Sequence, residues 1–289
     1  MCRGISRGLN LGFTEGAPRA KVQENRKLFL DKLGVEHFAL ASLRQIHSSS
    51  VFQVRCATSG HLEYSFCGHP MASNAGVEPL AGDALMTDQA GVLLSVRTAD
   101  CLPVMLVDPK HRAVAVVHAG WRGAVARIVE KTVGEMRRVY GSLPQTLVAV
   151  MGPSIRACCY EVQDEVVDAF HGRFVHAEKF FHSVFVPSAS QSDPHVLSFL
   201  SMRPPGHDDS TSKPSIHLDL IAVAQDQLLS AGLVPRHIGT VGFCTACHTD
   251  LFYSYRKEGS RTGRMMAVIG MLPGASHHRL PSSMGESAS

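Results

Sequence analysis

Three short apolar runs in the middle of the chain decide the fold: Val92-Leu-Leu-Ser-Val96, Pro103-Val-Met-Leu-Val107 and Val114-Ala-Val-Val117. They are nearly continuous and rich in β-branched residues, which is typical of strands that are buried on both faces of a sheet. Similar runs predict further strands at residues 147–150, 238–243 and 266–272. The centre of the chain is therefore predicted to form a sheet core.

Helical patterns surround these strands. Apolar residues three and four positions apart predict helices at residues 18–33, 124–140, 161–170 and 218–231. Gly34, Gly141 and Gly232 follow three of them, where a glycine can end a helix. Strands and helices mix without the strict alternation of a doubly wound fold. We therefore predict one domain of layered mixed α/β (α+β) type over residues 1–273.

The other segments carry weaker patterns. Residues 38–54 resemble strand material that is broken around Gln45-Ile-His47. Residues 55–82 lack a clear period, and residues 183–215 are rich in Ser, Pro, His and Asp, so both are predicted to be insert loops. The Ser-rich tail, residues 274–289, is predicted to be disordered.

Composition narrows the function. The 28 Lys and Arg residues barely exceed the 25 Asp and Glu residues, so no basic surface argues for nucleic acid. No apolar run is long enough to span a membrane. The first residues lack the apolar core of a secretory signal, so the eight cysteines are predicted to be thiols of a cytoplasmic protein.

Three hydrophobic runs end in reactive side chains: Arg44-Gln-Ile-His47, Arg97-Thr-Ala-Asp-Cys101 and His118-Ala-Gly-Trp-Arg-Gly123. Polar groups at strand ends are favoured positions for binding sites in α/β folds. Two imidazoles and one thiolate are good zinc ligands, and three protein ligands leave one position open. Spacing alone does not select these three from 16 His and 8 Cys, because buried His and free Cys often belong simply to the core.

An ordered series of motifs runs from about residue 4 to residue 272. They are Gly8-Leu-Asn-Leu-Gly12, Gln45-Ile-His47, Asp83-Ala-Leu-Met-Thr-Asp88, Thr98-Ala-Asp-Cys-Leu-Pro103, His118-Ala-Gly-Trp-Arg-Gly123, Met151-Gly-Pro-Ser-Ile155 with Cys159-Tyr-Glu161, and Cys244-Thr245 with Phe252-Tyr-Ser-Tyr-Arg256. In these pieces the chain resembles the laccase-domain family, also called YfiH-like or multi-copper polyphenol oxidoreductase. The Ala-Asp-Cys and His-Ala-Gly-Trp-Arg-Gly pieces are highly specific.

The resemblance implies a function and a fold. Its metal ligands map onto His47, Cys101 and His118, which would form a catalytic centre with one zinc per chain. The implied fold is four-layer α/β/β/α, similar to the catalytic domain of cytotoxic necrotizing factor. The implied activity is phosphorolysis of adenosine, inosine, guanosine and S-methyl-5′-thioadenosine by inorganic phosphate, together with adenosine deamination. The strand that precedes the first motif in the family is missing or shortened here, and residues 55–82 are longer than usual.

Phosphorolysis requires groups that hold phosphate. Arginine guanidinium groups suit this task because they bind phosphate oxygens in pairs. Arg44, Arg97, Arg122 and Arg264 lie in or beside the motifs and are the candidates for substrate binding. Asp100, beside the cysteine, is a candidate proton shuttle, although a structural role suits it equally well.

Other functions remain open at this point. A His2Cys set also suits copper, so a copper-dependent polyphenol oxidase is one alternative, although the chain has no H-x-H pair for a multinuclear centre. A metal-free cysteine hydrolase, with Cys101 as nucleophile and His118 as base, is a second. A binding module that retains the metal site is a third.

Four further cysteines form two short motifs. Cys244-Thr-Ala-Cys247-His248 matches the haem-attachment pattern, but haem attachment needs an exported protein. A structural zinc at this pair would need two more ligands, and no second pair with suitable spacing is visible. The neighbours Cys158 and Cys159 cannot readily form an unstrained disulfide with each other. A redox or structural role for the pair Cys244 and Cys247 stays open here, although paired thiols in a turn at a strand end are more often simply reduced.

Overall fold

The computed structural model describes residues 8–71, 80–184 and 214–272. The strands are β1 Ala39–Ala41, β2 Val51–Cys56, β3 Leu62–Phe66, β4 His69–Met71, β5 Ala84–Thr87, β6 Val92–Thr98, β7 Leu102–Asp108, β8 Ala113–Ala119, β9 Val148–Met151, β10 Glu161–Val162, β11 Phe181–Val184, β12 Ser215–Leu218, β13 Ile238–Thr240 and β14 Met265–Gly270. The helices are α1 Arg19–Leu33, α2 Trp121–Val125, α3 Ile128–Tyr140, α4 Asp164–His171, α5 Leu220–Ser230 and α6 Tyr255–Glu258.

The largest sheet has eight strands in the order β13-β9-β7-β8-β5-β2-β3-β4. Its centre is the antiparallel pair β7–β8, in which Val104 lies opposite Val117. All seven residues of β8 are buried. The strands predicted from the three apolar runs are therefore confirmed, and they are covered on both faces as their continuous apolar character requires.

A second sheet, in the order β1-β6-β14, packs on one face of the large sheet. Leu94 and Val96 of β6 point into the core between the sheets, where they meet Leu85 of β5 and Val116 of β8. Helices α3 and α5 cover the opposite face of the large sheet, and their apolar side chains share the main core with β7 and β8.

Helix α1 lies on the outer side of the small sheet. Arg97 points away from the inter-sheet core, because β6 alternates, and it is close enough to Arg26 of α1 for the two charges to repel. Arg26 is held there by a 2.8 Å hydrogen bond to the Leu11 carbonyl. The order of layers is therefore helix, sheet, sheet, helix, and the predicted four-layer α/β/β/α fold is confirmed.

The predicted helix at 124–140 is two helices. Arg127 separates α2 from α3 with a left-handed φ of 59°, and its guanidinium lies 5.0 Å above the Phe174 ring while pairing with Glu130. The left-handed residue interrupts a continuous helical pattern at the point where its side chain contacts a residue distant in sequence. The helix predicted from residue 161 begins at Asp164, because residues 161 and 162 pair with β12.

The prediction that residues 55–82 form a strand-free loop was wrong. Residues 62–66 and 69–71 are strands β3 and β4, which extend the large sheet beyond β2 in antiparallel order. Gly60 and Gly68 have positive φ angles of 84° and 83° at the turns between these short strands. Such strands give little periodic signal because each is only a few residues long, and β4 is exposed along its length.

Two predictions fall largely on residues outside the described ranges. Of the segment predicted as a loop at 183–215, only Ser183 and Val184 at the end of β11 and residues 214–215 are described. The predicted tail at 274–289 lies beyond the last described residue, Leu272. Within the described ranges, no helix combines the length and apolar character that crossing a membrane requires.

Candidate metal centre and cleft

Three predicted ligands meet at one edge of the large sheet. His47 lies in the loop between β1 and β2, Cys101 lies just before β7, and His118 belongs to β8. Because His118 pairs with Pro103 of β7, the imidazole and the thiol stand at the same end of the two central strands. The three ligand atoms lie within 4.8 Å of one another, with 3.8 Å between Cys101 Sγ and His47 Nε2.

Asp83 positions both histidines. Its carboxylate is fully buried before β5 and lies 2.9 Å from His118 Nδ1. A carboxylate only accepts, so Nδ1 carries the proton and Nε2 is left for a metal. The same carboxylate accepts hydrogen bonds from the backbone N–H of His47 at 3.0 Å and from the N–H and hydroxyl of Ser48 at 2.6 and 2.7 Å. Asp83 is a positioning residue that sequence reasoning missed.

The electrostatics of the centre favour a charged pair. Burial alone would raise the pKa of the Cys101 thiol, but His118 and His47 together lower it to about 6. Burial would lower the pKa of His118, but the Cys101 thiolate and Asp83 raise it to about 9. Between these values the metal-free centre therefore holds a thiolate and an imidazolium side by side.

This pair predicts the pH dependence of Cys101 alkylation in chelated protein. The thiolate is the reactive form, so the rate with iodoacetamide should be full at neutral pH and fall as the pH drops through about 6. Mass spectrometry of the peptide that contains Cys101 measures the rate. Protein incubated with zinc is the control, and its Cys101 should be protected if the thiolate binds the ion. A rate that still rises above pH 8 would contradict the ion pair.

Gly120 leaves room for the ligands. A Cβ atom at this position would lie 2.7 Å from Cδ2 of His47 and 3.0 Å from Sγ of Cys101, so the glycine allows the backbone to approach both. Gly120 lies between the end of β8 and the start of α2.

We expect Gly120→Ala to lower the metal affinity of the centre at least about tenfold, the effect typical of disturbing ligand orientation. Competition with a zinc chelator measures the affinity. Gly134→Ala is the matched control, because a Cβ atom there meets open space on α3, and that variant should bind metal normally and be slightly more stable. Equal affinity in the two variants would show that the close approach at Gly120 is unimportant.

A cleft of about 750 Å³ opens onto the three ligands. Three of the four predicted substrate-binding arginines, Arg97, Arg122 and Arg264, line it. Arg44 does not line it, although the next residue, Gln45, does. Arg256 also lines the cleft, and its guanidinium lies 5.3 Å above the Tyr160 ring. It belongs to a sequence motif but was not among the predicted substrate-binding residues.

Arg97 and Arg264 form a positive pair in the cleft. Burial lowers the pKa of both guanidinium groups, and the charge of Arg264 lowers that of Arg97 further. Their guanidinium groups donate hydrogen bonds to backbone carbonyls, Arg97 to Leu43 at 2.9 Å and Arg264 to Thr262 at 3.0 Å. Among the described residues neither forms an ion pair with a carboxylate. Two such charges favour an anion between or beside them.

Asp100 serves the architecture of the cleft. Its φ of 90° is left-handed, and its two carboxylate oxygens accept hydrogen bonds from Thr245 Oγ1 at 2.7 Å and from the Arg256 N–H at 2.6 Å. Asp100 therefore ties the segment before Cys101 to two later segments of the chain. These contacts favour a structural role for Asp100 over the role of a proton shuttle.

The fold and this His-Cys-His set define a mixed α/β protein with a potential metal centre at the floor of a cleft. The chain belongs to the family described as multi-copper polyphenol oxidoreductase laccase, whose family model matches residues 1–272.

Known proteins of the family are similar over nearly the whole chain. The purine nucleoside phosphorylase YlmD of Geobacillus stearothermophilus is 31% identical, with 93% of this chain and 85% of the relative covered. Adenosine deaminase RL5, from an unknown prokaryotic organism, is 33% identical over 92% of this chain and 88% of its own length. The crystal structure of YfiH from Bacillus licheniformis, 28% identical, aligns with a TM-score of 0.72 over 91% of this chain and 85% of that protein.

Proposed function

We propose that this chain is a zinc-dependent purine nucleoside phosphorylase that also deaminates adenosine. The observation that carries the proposal is the convergence of His47, Cys101 and His118, braced by Asp83, at the floor of an arginine-lined cleft. Two similar proteins are named for these two reactions. The proposed substrates are adenosine, inosine, guanosine and S-methyl-5′-thioadenosine, with inorganic phosphate as the second substrate.

The three side chains fit a zinc ion. Ligand bonds of about 2.0–2.3 Å in a tetrahedral site place neighbouring donor atoms roughly 3.3–3.8 Å apart. The 3.8 Å between Cys101 Sγ and His47 Nε2 matches this spacing, and the Nδ1–Asp83 contact leaves His118 Nε2 free to bind. A zinc ion with three protein ligands keeps one coordination position open and supplies Lewis acidity there.

The cleft suits a nucleoside and a phosphate together. Its volume of about 750 Å³ is within the usual range for small-molecule sites. We assign phosphate to Arg97 and Arg264, which form no direct ion pair with a carboxylate among the described residues, and the purine to the aromatic walls, Tyr160 and Tyr255. Arg122, at the exposed rim, pairs weakly with Glu165 at 3.8 Å and guides anions inward.

Both reactions balance with these substrates. In phosphorolysis a phosphate oxygen forms a bond to the ribose C1′, the bond from C1′ to the purine nitrogen breaks, and the purine leaves with a proton. In deamination water adds at the purine C6 and ammonia leaves. Arg97 and Arg264 hold the anion in the first reaction, whereas the second needs no phosphate.

The experiment that tests the proposal is incubation of purified protein with adenosine, with and without phosphate. We expect adenine and ribose 1-phosphate with phosphate, and inosine without it, both identified by chromatography. Formation of neither product by metal-loaded protein would overturn the proposal.

Arg264→Gln should separate the two reactions. Loss of a charge-assisted contact to phosphate costs about 1.5–3 kcal/mol, so the KM for phosphate should rise roughly ten- to a hundredfold. Deamination should change far less, because it uses no phosphate. Arg138→Gln, an exposed arginine that pairs with Glu135 on α3, is the matched control and should change neither. An equal loss of both reactions in Arg264→Gln would argue that Arg264 has a structural role instead.

One observation favours a second candidate. The Cys101 thiolate and the His118 imidazolium resemble the nucleophile and base of a cysteine hydrolase. That enzyme would keep its activity after chelation and lose it on alkylation of Cys101. The proposed phosphorylase would lose activity under both treatments.

A further inference from the structure

Four cysteines form a second cluster outside the cleft ligands. Cys158 and Cys159 lie in the loop between β9 and β10, and Cys244 and Cys247 lie in the turn after β13. The four sulfur atoms all lie within 4.8 Å of one another, and all four thiols are free. The expectation that the pair at 244 and 247 has no second pair was therefore wrong, since the fold supplies one from nearly ninety residues earlier in the chain.

The sulfur positions suit a tetrahedral ion. Zinc–sulfur bonds of about 2.3 Å place the sulfurs of a tetrahedral site about 3.8 Å apart. The separations from Cys247 Sγ to Cys158 Sγ and Cys159 Sγ are 3.5 and 3.4 Å. The cluster therefore needs only small side-chain adjustments to surround an ion. The two near-equal distances from Cys247 do not single out one disulfide pair.

The turn that carries Cys244 and Cys247 is ordered by its own backbone. Cys244 is the buried member of the cluster. The N–H of His248 donates to the Cys244 carbonyl at 3.1 Å and closes the turn.

The two loops that carry the cysteines are already joined by their backbones. Ser154 forms a β-bridge with Cys244, and the N–H of Thr245 donates to the Ser154 carbonyl at 3.1 Å. The cluster is therefore held together before any ion binds. Cys158 and Cys247 are exposed, which gives an ion a path from solvent.

We propose that Cys158, Cys159, Cys244 and Cys247 bind a structural Zn²⁺ ion, separate from the centre formed by His47, Cys101 and His118. Four protein thiolates fill the tetrahedral positions, so this site has no open position and does not bind substrate.

The position of the four-cysteine cluster gives a bound ion a structural role. Cys159 precedes Tyr160, which lines the cleft, and Cys244 precedes Thr245, whose hydroxyl holds Asp100 next to Cys101. An ion at the four sulfurs therefore fixes two segments of the cleft wall to each other. This inference does not depend on the reaction that the cleft catalyses.

Metal analysis of five proteins tests the proposal. Protein purified in the presence of zinc should contain two Zn²⁺ ions per chain in the wild type and one in either Cys101→Ala or Cys247→Ser. The double variant should contain none, and Cys67→Ser, an exposed cysteine between β3 and β4, should retain two. A wild type with one ion and a Cys247→Ser variant that still holds that ion would overturn the second site.

A second measurement keeps the proposal testable if Cys247→Ser does not fold. Cys101→Ala protein that is stripped of zinc and titrated with Co²⁺ should take up one ion, with the sulfur-to-cobalt charge-transfer absorption of four thiolates. The four thiols should at the same time become protected from a thiol reagent. Absence of that absorption, or a mass lower by two hydrogens that identifies a disulfide in the cluster, would overturn the proposal.

Discussion

Replacing Cys101 by alanine should abolish phosphate-dependent turnover of adenosine and remove one metal ion per chain. The thiolate is one of the three proposed protein ligands, so its loss should cost more than the roughly 100-fold that follows the loss of a group that merely orients a ligand. The fold should survive, because Cys101 faces the cleft and the alanine side chain removes only the sulfur. Steady-state kinetics and metal analysis on the same preparation measure both effects, and circular dichroism reports the fold.

Cys67→Ser is the matched control for this variant. Cys67 is exposed in the turn between β3 and β4, at the edge of the large sheet, and should have no effect on metal or turnover. Full turnover in Cys101→Ala, with normal folding, would refute the assignment of the centre.

Replacing Asp83 by alanine should have the largest effect on stability. The variant leaves the N–H groups of His47 and Ser48 and the His118 ring without the acceptor that they share in a fully buried position. Removal of one partner from such a buried, charged network costs about 3–5 kcal/mol. Urea unfolding measures this loss. Asp83→Asn keeps the shape and should lower metal affinity about 10- to 100-fold even if the alanine variant is too unstable to purify.

The contribution of Asp83 to the free energy of unfolding should decrease as the pH falls. Burial would raise the pKa of this carboxyl, but hydrogen bonds from His118 and Ser48 hold it below the ordinary value of 3.8. A lowered carboxyl pKa stabilises the folded state above the ordinary value, and the stabilisation is lost as the pH falls through the folded-state pKa. The free energies of unfolding of wild type and Asp83→Asn should therefore converge below pH 3.8.

A surface carboxylate provides the control for this comparison. Asp226 pairs with Lys179 at 2.6 Å on the surface, and Asp226→Asn should cost at most about 1 kcal/mol. If Asp83→Asn costs no more than Asp226→Asn at neutral pH, the buried carboxylate does not organise the centre.

The centre of the fold was predictable because its sequence signal is direct. Strands β6, β7 and β8 are buried on both faces, and a continuous apolar run records that burial without reference to distant residues. Strands β3 and β4 were missed because they are short and contain no buried residue. The pairing of β3 with β2, and of β4 with β3, determines them more than their own composition. The break at Arg127 likewise coincides with a contact to Phe174, a distant partner that no local pattern reveals.

Some residues of the candidate site were likewise predictable from the sequence and others were not. His47, Cys101 and His118 were selected by motifs, and the fold brings them together. The role of Asp83 depends on which groups surround a buried carboxylate, although an aspartate directly before a buried strand was a signal that could have been used. The four-cysteine cluster escaped detection because its two halves are close only in the folded chain.

The most direct test of the central claim is the return of activity to chelated protein. Turnover of adenosine with phosphate is measured after removal of metal and during stepwise addition of Zn²⁺, while the metal content of each sample is determined. We predict that turnover disappears on chelation, returns as the centre of His47, Cys101 and His118 fills, and does not return in Cys101→Ala. Undiminished turnover in fully chelated wild-type protein would contradict the account.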